Sequence, residues 1–407
     1  MTAQTSISAE VQRERRHRSG LSRHAAARVA AFVEEVVDEV RRAPVDVTQL
    51  QAGGVAGSLL QGAAGVAFFL TEASRLCGGD PCGEGAQRWY DLAEAWARGA
   101  RTEDWGGSAS GVFLGEAGLA YVDATIGVAR RDPVRVSTAV RTMDRVTRRA
   151  HEVSDGFRPT DLFGGAAGVV CTTRDLLARL AGAADHARAR QTLARIHRRA
   201  LARVLGARET SADGAPPNVG IGHGLAGELF VLVSAVGVEG VGDRIERLIA
   251  LRKRDRKGRT YWLSPRQSLA TLGSWCNGMP GHAMLWMEVA RQTRASRFAE
   301  LARGAIETTA HLPSGGAGLC CGMPGAALVL LRHADLTGVP ADEARAEELL
   351  LRTMAADRQH PGRGLAFWQG SLGLALVGMM RLSGEHRLPC IEPFGFDPAE
   401  PERGDAS

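Results

Sequence analysis

A chain of 407 residues, 44% hydrophobic and 23% charged, has the size and composition of a globular protein with one large core or two ordinary ones. Its formal charge of +5 is mild, and no aromatic-rich basic segment points to nucleic acid. No apolar run approaches the ~18 residues of a membrane span, and the polar, arginine-rich residues 1–20 lack the apolar core of a secretory signal, so a cytoplasmic location is expected.

In chain order, residues 1–45 form a basic N-terminal segment whose stretch 13–42 includes an amphipathic helix. That helix is expected to dock on the body of the protein or on a partner. A repeat begins after it. Gly62-Ala63-Ala64-Gly65, Gly115-Glu116-Ala117-Gly118, Gly165-Ala166-Ala167-Gly168 and Gly224-Leu225-Ala226-Gly227 share one pattern. So do Gly278-Met279-Pro280-Gly281, Gly322-Met323-Pro324-Gly325 and Gly370-Ser371-Leu372-Gly373. The spacings between successive first glycines are 53, 50, 59, 54, 44 and 48 residues. An apolar helical stretch follows each copy. Amphipathic helices are predicted between copies, as at 88–100, 189–205 and 341–356.

Each unit therefore reads as a loop, a glycine-opened inner helix and a more polar outer helix. A helix that is apolar on most of its surface must be buried on most of it, and the polar-faced helices can shield it. An open solenoid needs polar end caps, and none is evident. The expected fold is all-α: a closed α/α toroid of seven helical hairpins over residues 46–385, made by a single chain and read as a monomer, with a C-terminal tail at 386–407. The glycine motif alone reports helix packing and says nothing about chemistry.

The chemistry lies just before the glycines. Of the seven cysteines, Cys276 and Cys320 stand two residues before the first glycine of units five and six, with Cys321 following Cys320. In a ring, equivalent starts of inner helices face the same central region, so two adjacent units bring three thiols together. Zinc prefers thiolate and imidazole ligands, and catalytic zinc sites keep three protein ligands with a fourth position open. Cys77, Cys82, Cys171 and Cys390 share no such register and read as structural, and an odd count argues against a disulfide framework. His223, one residue before Gly224, and Asp161, four before Gly165, are placed near the same opening, as a proton-exchanging imidazole and a carboxylate that fixes its tautomer.

The combination DLFGGAAG, GHGLAG, SWCNGMPG and CCGMPG, within a repeat region of about residues 50–380, resembles the lanthipeptide cyclase (LanC-like) family. The resemblance implies an α/α toroid with a central zinc on Cys276, Cys320 and Cys321, acid–base work by His223, and support from Asp161. It implies thioether ring closure in a ribosomal precursor peptide, leader plus core, by adding cysteine thiols to dehydroalanine or dehydrobutyrine. A dehydratase partner is implied as well. Trp275 matches the aromatic residue before the first zinc cysteine. Two departures are visible: Cys321 stands where histidine is usual, a three-cysteine variant, and Leu272 stands where a basic residue is expected, with Arg266 as a possible substitute.

The basic segment 252–259 reads as a solvated loop, with attraction of an acidic leader as the alternative. Two competing functions share these features. One is a LanC-like transferase adding glutathione to dehydrated proteins. The other is a zinc-stabilised toroid that only scaffolds partners, for which His223 and Asp161 would be unnecessary. A flexible peptide with several rings to close is expected to need an open central cavity.

Overall fold

The computed structural model describes residues 22–393, apart from 51–54, 79–82, 107, 149–158, 208–217, 265–266, 312–315 and 360–363. The expectations for residues 1–20, Cys82 and Arg266 lie outside the described residues. The chain runs α1 (Arg23–Arg42), α2 (Ala63–Cys77), α3 (Glu84–Gly99), α4 (Glu116–Ala129) and α5 (Pro133–Arg148). It continues through α6 (Ala166–Arg179), α7 (Ala187–Leu205), α8 (Leu225–Val236) and α9 (Gly242–Ala250). A short antiparallel pair follows, β1 (Lys253–Arg254) inside the basic segment 252–259 and β2 (Thr260–Tyr261) just after it. Then come α10 (Met279–Thr293), α11 (Ser296–His311), α12 (Met323–Thr337), α13 (Pro340–Arg358) and α14 (Ser371–Ser383).

The even-numbered helices form the inner layer. Each follows a GxxG motif and is buried on nearly all sides, as in α10, where every residue from Met279 to Val289 is buried. Each inner helix packs against the next, and α14 packs against α2, so the layer closes into a ring of seven. The outer helices bury one stripe only. In α7 that stripe is Ala189, Leu193, Ile196, Ala200 and Val204, the three- and four-residue spacing of one helix face. The fold is the closed α/α toroid.

Closure uses both ends of the chain. Six outer helices follow their inner partners in sequence, but α14 has no following outer helix among the described residues. Its outer partner is α1, which packs on α14 and α13 and buries Val29, Phe32, Val33, Val36 and Val40. The N-terminal helix is thus part of the double layer. The segment after α14 also lies within the body: Arg387, Leu388, Cys390, Ile391 and Glu392 are buried. Arg387 reaches Glu72 at 3.0 Å, Asp175 at 3.4 Å and Glu385 at 2.7 Å, clamping the C-terminal ends of α2 and α6. Burial alone raises the Glu72 pKa, but the guanidiniums of Arg179, Arg75 and Arg387 hold its carboxyl well below the usual range.

The GxxG glycines are required by space. A side chain on the second glycine of unit four, Gly227, would overlap the Ile221 carbonyl, and the same clash recurs at Gly118 with Val112. Each loop doubles back over the first turn of its own inner helix, and only glycine leaves room.

Candidate metal centre

The loops before the inner helices are joined by a closed circle of backbone hydrogen bonds. Leu60 N–H donates to the Phe113 carbonyl (2.9 Å), Phe113 to Phe163 (3.1 Å), and Leu162 to Gly222 (3.2 Å). Gly222 donates to Cys276 (2.7 Å), and both Trp275 (2.9 Å) and Cys276 (3.2 Å) donate to Cys320. Cys320 donates to Trp368 (2.8 Å), and Trp368 back to Leu60 (2.9 Å). All seven carbonyls belong to the residue two places before a motif glycine. Buried backbone polar groups must be paired, and here each unit satisfies its neighbour.

Side chains of this layer fill the axis. Trp368 packs on Phe113, Phe163 and Trp275, with ring centroids 5.0, 6.1 and 5.3 Å away, and all four residues are buried. The expected open central cavity is replaced at this level by an aromatic plug, because large apolar side chains meeting at one axis bury their surface against each other. Trp275 belongs to the plug, and its indole N–H donates to Met284 Sδ at 3.0 Å.

Cys276 and Cys320 lie in the same layer and are buried, whereas Cys321, one residue further on, is exposed. The three sulfurs lie within 4.8 Å of one another, with Cys321 3.5 Å from Cys276 and 3.4 Å from Cys320. Tetrahedral zinc with bonds of about 2.3 Å places sulfurs roughly 3.8 Å apart, so the spacing of the trio is close to that of a zinc site. Hydrogen bonding with Cys276 and Cys320 holds the Cys321 thiol well below the usual range, and the electrostatic influence of the His223 imidazole adds to this. Cys320, bonded to both partners and buried, is pushed up.

Asp161 and His223 come together on neighbouring units. Asp161 is fully buried, and its Oδ1 accepts from Gly164 N–H (2.6 Å) and Gly165 N–H (3.0 Å), which fixes the loop entering α6. Its Oδ2 meets His223 Nδ1 at 3.3 Å. The imidazole packs on Phe163, with ring centroids 4.8 Å apart, and is partly exposed. Leu272 is buried, with its carbonyl against Gly278, so no cation comes from that position.

The residue immediately before each motif glycine forms a second layer above the carbonyl circle. This layer comprises Gln61, Leu114, Gly164, His223, Asn277, Cys321 and Gln369. Five of the seven are at least partly exposed, all except Leu114 and Gly164. Gln61 Nε2 donates to Gln369 Oε1. Asn277 Nδ2 donates to Cys276 Sγ at 3.3 Å, and its own carbonyl accepts from Gln267 at 2.7 Å. Sequence inspection singled out His223 and Cys321 and missed Gln61, Asn277 and Gln369. Their shared offset from the glycines was the available signal.

The lanthionine synthetase C-like protein family profile matches residues 55–366, and the chain belongs to that family. Among solved structures, a nisin cyclase superposes with a TM-score of 0.60 at 15% identity, covering 88% of this chain and 94% of that one. An unsaturated glucuronyl hydrolase specific for heparin superposes with a TM-score of 0.41 at 11% identity, covering 88% and 97%. No curated protein sequence matches the chain. No helix among the described residues is long and apolar enough to cross a membrane.

Proposed function

We propose that this protein is a zinc-dependent peptide cyclase of the cytoplasm, forming lanthionine or methyllanthionine bridges in a dehydrated precursor peptide supplied by a dehydratase. The observation that carries this reading is the juxtaposition, at one end of a closed ring, of three sulfurs and an Asp161–His223 pair contributed by neighbouring units. Cys276, Cys320 and Cys321 would hold the metal, which when bound supplies the charge that keeps an incoming thiol deprotonated.

The reaction adds S–H across a carbon–carbon double bond. A C–S bond forms at the β-carbon of dehydroalanine or dehydrobutyrine, and the α-carbon takes up a proton, with no net redox change. His223 delivers that proton, and Asp161 orients the ring by receiving Nδ1–H, leaving Nε2 toward the substrate. The buried aromatic plug closes the floor, so peptide enters from the exposed Cys321 side.

The test is reconstitution with a peptide carrying one dehydroalanine and one cysteine. Ring closure leaves mass unchanged and removes the alkylatable thiol. Loss of that thiol with wild-type protein, absent with zinc-depleted protein, is the expected result. Glutathione adduct formation in place of intramolecular closure would move the assignment to the transferase. No thiol consumption under either condition would leave a scaffold.

A further inference from the structure

Helices α5 and α7 together carry ten arginines and one acidic residue, Asp144. This is not a uniform bias of the chain, because outer helix α13 carries five acids and three arginines. Four of them, Arg148, Arg195, Arg199 and Arg203, gather on the seam between the two helices. Arg148, Arg195 and Arg199 all reach the Asp144 carboxylate, at 2.7, 3.1 and 3.0 Å. Arg199 also donates to Thr147 Oγ1 at 2.8 Å, and Arg203 to the Thr147 carbonyl at 3.0 Å. Arg145, Arg148 and Arg195 are exposed. One carboxylate cannot neutralise this group, so among the described residues the seam keeps a net positive charge at the surface.

Its position matters as much as its charge. In each hairpin the outer helix runs back along its inner partner, so the C-terminal ends of α5 and α7 lie at the end of the ring where the inner helices begin. From these two ends the chain proceeds to Asp161 and to His223, respectively. We infer that the α5–α7 seam is a docking surface for an acidic segment of the peptide substrate, holding it beside the unit that carries Asp161. This rests on the cyclase reading for the identity of the substrate, but the charge recognition stands by itself. Asp144 shows the chemistry: a carboxylate on this seam is gripped by three guanidiniums, whose planar forks suit carboxylate oxygens. The overall charge of +5 and the absence of aromatic side chains from α5 and α7 favour a peptide over a single-stranded nucleic acid.

The experiment uses the full chain and a fluorescent octaglutamate peptide, with octaglutamine as control. The variant is Arg145→Gln/Arg148→Gln/Arg195→Gln, which leaves Arg199 paired with Asp144, and its thermal melt confirms that it is folded. Wild type is expected to bind octaglutamate and not octaglutamine, with affinity falling as salt shortens the screening length below about 10 Å. The triple variant should bind roughly tenfold more weakly, as expected for loss of three partly screened charge contacts. Equal binding by wild type and variant overturns the inference, as does tighter binding of an RNA oligonucleotide or of anionic phospholipid vesicles than of octaglutamate. Octaglutamate binding without ring closure would overturn the cyclase reading and leave the docking surface standing. Unchanged KM in the variant for a substrate with an acidic leader would do the reverse.

Discussion

Gly222 donates its amide hydrogen to the carbonyl of Cys276 across 2.7 Å, so the backbone beside His223 and the backbone carrying the first thiol of the trio are one hydrogen-bonded piece. The contact also leaves no space. A Cβ at Gly222 would lie 2.9 Å from both Cys276 Cβ and the Phe163 ring. Gly222→Ala is expected to destabilise the fold by about 1–3 kcal/mol through overpacking and to lower zinc content. Wild-type melting together with full metal occupancy would show that the ring tolerates displacement here.

The three thiols should act as one site. Cys276→Ala, Cys320→Ala and Cys321→Ala are each expected to reduce zinc from about one ion per chain, with the toroid intact because its core does not depend on the metal. Cys321→His should keep zinc, since imidazole belongs to the same donor set. It should slow thiol attack, because one fewer negative ligand leaves less electron density on the incoming sulfur. Elemental analysis run beside single-turnover ring closure separates the two effects. Faster attack at full zinc loading in Cys321→His would refute the charge argument.

Asp161 has two jobs that substitution can divide. Asp161→Asn keeps an oxygen for the Gly164 and Gly165 amides but loses the acceptor facing His223. Its stability should stay near wild type while ring closure slows by ~10²-fold or more, the scale of a mis-set general acid. Asp161→Ala should in addition lose about 1 kcal/mol of stability with the loop contacts. Equal melts and equal rates for the two variants would contradict this division.

His282 gives the fold an acid sensitivity outside the site. It is fully buried and stacked on Trp262 at 4.7 Å, with no hydrogen-bond partner for either ring nitrogen among the described residues, and burial lowers its pKa to about 3. Between pH 6.5 and about 3 the unfolded chain binds this proton and the folded chain does not, so stability falls as pH falls, by up to about 1.4 kcal/mol per unit. His282→Phe should remove that slope. Denaturant titrations at pH 7 and pH 5 check it, and an unchanged slope would assign the acid sensitivity to other groups.

Breaking the Arg387 clamp should be strongly destabilising. Arg387→Ala leaves Glu72 and Asp175 short of a buried cation, and a loss of about 3 kcal/mol or more is expected. Zinc content per folded molecule should not change, because the clamp holds the opposite ends of the inner helices. A melt within a degree of wild type would show that Arg75 and Arg179 suffice.

Repeat number, all-helical class and the inner–outer alternation were legible in the sequence, because burial on all sides and burial on one stripe leave different residue patterns. The sulfur trio was legible too, since a fixed offset from a repeated glycine becomes a fixed place on a ring. Three things were decided only by the tertiary structure. The outer partner of α14 is α1, from the other end of the chain, and local pattern cannot pair helices so far apart. Residues 387–392 are buried because Arg387 finds Glu72 and Asp175 on two different inner helices. The axis is filled because Phe113, Phe163, Trp275 and Trp368, each from a different repeat, converge once the circle of Gly222, Cys276, Cys320 and their counterparts closes. Convergence at an axis is a property of the closed ring and is carried by no single repeat.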